Sequence, residues 1–220
     1  MATLASLERY TSLFTPGAPL VVLQQMVRLT TQDFLIRTEA WKETISSVTW
    51  PDAGDIVLGT NGQPTASTAG AVVARFVGVL DAEQNYGLSF RTRAQLDLID
   101  PSWYTASGEV PKLFTTGASP DQLRIYPLAA SPKVARLRVR AALTVGPTSV
   151  AFPDFVFWRY QTALTHGAVA RVLAIPGRDW SDPRLAAAYA EMYEDAVIRA
   201  KAAGDSDHGN PVRTVTYGGI

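Results

Sequence analysis

The stretch His166-Gly-Ala-Val-Ala-Arg-Val-Leu-Ala-Ile-Pro-Gly-Arg-Asp-Trp-Ser-Asp-Pro-Arg-Leu-Ala186 decides how the chain is read. Upstream of it, Asp154 is placed to cap a helix that carries Phe155, Tyr160, Leu164, Ala168, Val172 and Ile175 at helical spacing. Pro176 and Gly177 stop that helix, because proline brings no amide to the next turn and glycine accepts the left-handed backbone of a sharp reversal. Asp182 and Pro183 then supply the cap and the first turn of a second helix, with Leu185, Tyr189, Met192, Ala196 and Ala200 at steps of three and four. Asp195 and Arg199 lie one turn apart with the acid first, the favourable order. Trp180, between the two helices in sequence, is expected to be the buried apolar plug of an αα-hairpin. Gly204 reads as the stop of the second helix.

Before this hairpin the texture is different. From Thr49 to Pro147, glycine, proline and asparagine punctuate short runs rich in valine, threonine and aromatics: Ala71 to Leu80, Tyr86 to Phe90 and Leu123 to Tyr126. These predict strands. Ala135, Leu137, Val139 and Ala141 alternate with Arg136, Arg138 and Arg140, which predicts a strand with one apolar face and one face of three guanidinium groups. That second face is either a solvated sheet surface or a contact between subunits. Earlier still, Leu20 to Ile45 places Leu23, Val27, Phe34, Ala40 and Trp41 along one side, an amphipathic helix preceded by a short lead with Pro16, Gly17 and Pro19.

Helices separated by a hundred residues of strand share a core only if the strands are an insertion. The expected class is therefore α+β: a helical bundle from residues 1–48 and 153–204, with an inserted antiparallel β-module over 49–152. Residues 205–220 read as a flexible C-terminal tail. Val212, Val215, Tyr217 and Ile220 are its apolar anchors, suited to order against a neighbouring surface.

Composition narrows the function. Among 220 residues, 20 basic and 20 acidic side chains cancel, so no global field favours nucleic acid or an anionic membrane. No cysteine is present, which excludes disulfides, thiolate metal sites and cysteine nucleophiles. Met1 to Tyr10 does not read as a signal peptide, and no apolar run spans a bilayer, so a soluble protein is expected. Neither a GxxxxGK[ST] nor a GxGxxG run occurs, and the two histidines, His166 and His208, have no metal-binding spacing. Gly87 to Arg91 lacks the second glycine of a nucleophile elbow. Asp97 and Asp100 read as turn-shaping residues beside Pro101, and Glu191, Glu194 and Asp195 as a solvated helix face. The expectation is a non-enzymatic protein with no cofactor and no metal.

The run from His166 to Ala186, with its glycine-containing helix, Pro-Gly turn and W-x-D-P step, resembles that of short-tailed bacteriophage head-to-tail adaptors, the tail tubular protein A-like family. Phe34, Thr38 and Trp41 agree in order, as do Leu98-Ile-Asp-Pro-Ser-Trp103 with Gly108 to Pro111, and Leu123-Arg-Ile-Tyr-Pro127. The resemblance implies a virion protein, assembled in the host cytoplasm, that forms a ring of twelve copies between portal and tail nozzle. DNA would pass through the lumen without being read. The alternative is a head-completion or tail-tube protein of a long-tailed phage, which should be dominated by β-structure. Gly54 to Gly70 has no counterpart in the resemblance.

Overall fold

A computed structural model describes residues 1–59, 63–119 and 121–207, the last four by backbone alone. The chain opens with β1 (Ala2–Thr3), α1 (Leu4–Ser12) and α2 (Leu20–Thr38). Strands follow: β2 (Lys42–Trp50), β3 (Ile56–Val57), β4 (Ala71–Asp81), β5 (Tyr86–Gly87) and β6 (Ser89–Phe90). A short helix, α3 (Arg93–Ile99), precedes β7 (Ser107–Gly108), β8 (Leu113–Thr116), β9 (Gln122–Tyr126), β10 (Leu128–Ala129), β11 (Lys133–Val145) and β12 (Ala151–Phe152). The chain then closes with α4 (Asp154–Leu173) and α5 (Pro183–Asp207). The class is mixed helix and largely antiparallel sheet, and the chain divides into two compact units, residues 41–153 with Met1, and residues 2–40 with the segment from 154 onward.

In the helical unit, α2 and α4 pack on one another, with α1 and α5 each packed against both. Leu4, Leu7 and Thr11 give α1 a buried edge at i, i+3 and i+7. This nine-residue helix lies in what reads from sequence as a short lead. The helix beginning at Leu20 stops at Thr38 and not at Ile45. Glu39 takes the left-handed conformation (φ 49°) as its C-cap, while the Thr38 hydroxyl bonds back to the Phe34 carbonyl at 2.7 Å. Beyond it, Thr44, Ile45, Val48 and Thr49 are β-branched and join a strand. Ala40 and Trp41 therefore leave the helix, and the boundary between units falls at residue 41, not 48. At the other end, α5 continues through Gly204 to Asp207. One interior glycine costs a helix only about 1 kcal/mol, too little to end one whose preceding turn, Ala200-Lys-Ala-Ala203, is built of strong helix formers.

The β unit holds two four-stranded sheets, β2-β11-β4-β5 and β3-β9-β8-β6. The 13-residue β11 is central to the first, and Ala141 to Val145 on it are all buried. The longer pairings of the module are antiparallel, as expected, while two short pairs are parallel, β6 with β8 and β7 with β10. The cause is connectivity. The link from β6 to β8 passes through α3, a crossover that returns the chain in the same direction. Trp50, Phe76, Phe114, Leu123, Ile125 and Leu137 are among the buried side chains of this unit, each contributing on the order of 1.5–3 kcal/mol of transfer free energy.

Candidate assembly surfaces

The hairpin from α4 to α5 is built as its residues dictate. Gly177 has φ 70°, a conformation open to glycine at little cost. The chain then folds back so that the Asp182 amide and the Ser181 hydroxyl both donate to the Leu173 carbonyl, at 3.1 and 3.2 Å, satisfying a free C-terminal acceptor of α4. Asp182 Oδ1 accepts from the amides of Arg184 and Leu185 at 3.1 and 3.0 Å, a side-chain N-cap, and Pro183 occupies the first position of α5. Val169, Leu173 and Ala186 form the buried contact between the helices. Trp180 is not the buried plug expected of it. It is half-buried beside the turn with the Arg178 guanidinium 6.0 Å from its ring, and the small residues Ala186 and Val169 close the helix contact instead.

One carboxylate ties three helices together. Asp33 Oδ2, on α2, accepts the Tyr193 hydroxyl of α5 at 2.8 Å and Arg171 Nη2 of α4 at 3.1 Å. Arg37, one turn along α2, lies 3.6 Å from the same oxygen and grips both oxygens of Glu194 on α5. Burial, aided by Asp33, pushes the Tyr193 hydroxyl up, while the hydrogen bonds from Arg37 hold Glu194 below the usual carboxylate range. Beneath this network Gly167 lets α4 approach closely: a Cβ there would sit 2.6 Å from both Thr30 Cγ2 and Tyr193 Cδ2. Glu194 therefore belongs to an ion pair, while Glu191 and Asp195 stay on the exposed face read from the sequence.

The three arginines of β11 do not share a face. Ala135 takes φ 55° and the register with β2 shifts between Lys133 and Leu137, a bulge that turns Arg136 inward. Arg136 is buried, holds Asp81 with Nε and Nη2, and also pairs with Glu83. It is neither solvated nor available to a partner. Arg138 and Arg140 keep the expected side, opposite Leu80 and Gly78 of β4, and Arg140 also opposite Thr44 of β2. These three partners, with Val79 and both guanidinium groups, line a cavity of about 350 Å³.

Two of the places where large apolar side chains are exposed lie on α4 and α3. On α4, Trp158 is 76% exposed beside Phe155, and Trp158, Arg9 and Tyr10 line a second cavity, of about 350 Å³. On α3, Leu98 and Ile99 are exposed while Leu96 is fully buried. The signal was present: three apolar residues within four positions cannot all face one core at 3.6 residues per turn. Asp97 and Asp100 flank the pair. Asp97 accepts the Trp103 indole at 2.7 Å, and Asp100 accepts the Ser102 amide and hydroxyl and the Tyr126 hydroxyl. Asp100 shapes its turn as the sequence predicts, and the Ser102 bonds lower its pKa.

Among the described residues no cluster of three or more histidine, cysteine or acidic side chains is arranged to hold a metal, and no helix is long and apolar enough to cross a membrane. His166 lines a groove between α4 and α5 and contacts the Tyr189 ring at 5.3 Å, its pKa lowered by burial. His208 and the tail residues Val212, Val215, Tyr217 and Ile220 lie outside the described residues.

Comparison with curated proteins finds no match. A protein-family model described as SU10 adaptor protein matches residues 3–215. That span takes in both units and every anchor of the resemblance to phage head-to-tail adaptors, from Phe34 to Ala186. The chain belongs to the SU10 adaptor protein family.

Proposed function

We propose that this protein is a structural, non-catalytic head-to-tail adaptor of a bacteriophage, one copy in a ring, twelve by family resemblance, set between the portal and the tail nozzle in the virion neck. In this reading the helices from both chain ends form the body as a bundle and the β unit is a module inserted into it. Family membership across nearly the whole chain carries the proposal. Physical features support it. Trp158, Leu98 and Ile99 are among the large apolar groups that the fold leaves in water, and contiguous exposed apolar surface of this kind marks sites of protein contact. Balanced charge, 20 basic against 20 acidic side chains, suits a lumen that must release DNA. A helical unit of this size gives no support to a β-dominated tail tube.

The test is electron microscopy of particles of the purified protein, alone and mixed with purified portal. Closed rings, free or seated on the portal, are expected; tubes or portal without added density would overturn the reading. As a non-catalytic protein with no metal, it should keep its melting temperature after chelation. A drop reversed by zinc or magnesium would contradict that.

A further inference from the structure

The tip of α3 carries exposed apolar side chains beside two carboxylates, and the outer face of the β2-β11-β4 sheet carries a hollow beside two arginines. Leu98 and Ile99 project from the tip with 87% and 56% of their surface exposed. Leu96 is the buried residue of this short helix. The tip is also held firmly. A capping box at Thr92 and Gln95 fixes its start, and the bonds of Asp97 to Trp103 and of Asp100 to Ser102 and Tyr126 fix its end. The result is a rigid apolar knob with a carboxylate on either side.

The sheet face offers the converse. Gly78 has no side chain, and nothing lies within 4 Å of the place a Cβ would take, so a hollow opens over β4, walled by Val79, Leu80 and Thr44. Arg138 and Arg140 stand at its edge, and neither has a hydrogen-bond or ion-pair partner among the described residues. An apolar floor beside two free guanidinium groups suits an aliphatic side chain next to a carboxylate. A nucleic-acid backbone would use the arginines but leave the hollow unfilled.

We propose that Leu98 and Ile99 of one copy seat in the Gly78 hollow of the next, with Asp97 and Asp100 facing Arg138 and Arg140. This rests on the ring reading given above. Knob and hollow are different surfaces of one module, so the contact is head to tail, the kind that closes into a ring when the rotation between copies permits. Charge complementarity sets which surface meets which. The hollow takes a second copy of this chain.

Absence of native cysteine makes the test direct. A variant with both Leu98→Cys and Thr44→Cys, oxidised and run on a non-reducing gel, should give a ladder of linked multimers, while each single variant gives none beyond a dimer. Separately, Leu98→Arg should weaken self-association at least tenfold without changing the melting temperature, and so should the pair Arg138→Glu and Arg140→Glu, which sets like charges opposite Asp97 and Asp100. If the unmodified protein forms rings but the double variant gives no ladder and Leu98→Arg assembles normally, this contact is wrong and the ring reading survives. If no ring forms either alone or on the portal, both fall together.

Discussion

Arg136 holds the Asp81 carboxylate through two hydrogen bonds, Nε at 2.7 Å and Nη2 at 2.8 Å, with both side chains buried. Asp81 also accepts the amide of Glu83 at 3.0 Å, fixing the turn that follows β4. Removing Asp81 leaves the buried guanidinium with only the exposed Glu83 as its counter-charge, so Asp81→Ala should cost toward the lower end of about 3–5 kcal/mol in denaturant unfolding. Replacing both by apolar residues of similar volume should cost much less. A loss below about 1 kcal/mol for Asp81→Ala would mean the pair is solvated.

Gly167 tests the packing of three helices at one point. A methyl group there meets Thr30 of α2 and Tyr193 of α5 at 2.6 Å, closer than van der Waals contact. Gly167→Ala gains helix propensity but overpacks the site, and the net expectation is destabilisation of about 1–3 kcal/mol. Thermal or urea unfolding decides it; a stabilised variant would show that α4 is not pressed against both neighbours.

At the hairpin, the cap should matter as much as the aromatic. Asp182→Ala removes two hydrogen bonds at the start of α5 and should cost about 1 kcal/mol. Trp180→Ala, with the ring only half-buried, should cost about 1–2 kcal/mol, less than the 3–5 kcal/mol of a fully buried aromatic. Denaturant unfolding of the two variants side by side checks the ranking.

The Arg37–Glu194 pair predicts a small acid sensitivity. Glu194 titrates below its ordinary value because Arg37 bonds to its charged form. Its contribution is therefore complete above the unfolded carboxylate value of about 4.3 and is lost as pH falls through the depressed folded value. Both side chains are partly exposed, 38% and 51%, so the effect should stay within about 1 kcal/mol. Comparing wild type with Glu194→Gln between pH 7 and pH 3 measures it: the gap in stability should close on acidification.

What the residues announced, and what they hid, follows from range. Pro176, Gly177, Asp182 and Pro183 act on their nearest neighbours, and the hairpin they predict is the one observed. The alternation from Leu137 to Ala141 likewise gives the right strand with the right face buried. The burial of Arg136 is not legible there, because the bulge at Ala135 shows only in the pairing of β11 with β2, strands distant in sequence, and a period-two pattern carries no trace of it. Trp41 was placed on a helix because its spacing from Phe34 suits one, although Glu39 ends that helix first. The small elements α1 and α3 each span too few residues for a periodic signal to rise above the texture around them. Exposure near Leu98 and Ile99 is legible in the residues, since Leu96, Leu98 and Ile99 cannot all face one core on a short helix.

The proposed adaptor assembles into a ring that joins portal to tail. The most direct measurement is the mass of the purified protein, by native mass spectrometry, before and after mixing with purified portal rings. One closed multimer of defined copy number, near twelve by family resemblance, is expected, present alone or formed on the portal. A protein that stays monomeric in both conditions, leaving the portal mass unchanged, would contradict it.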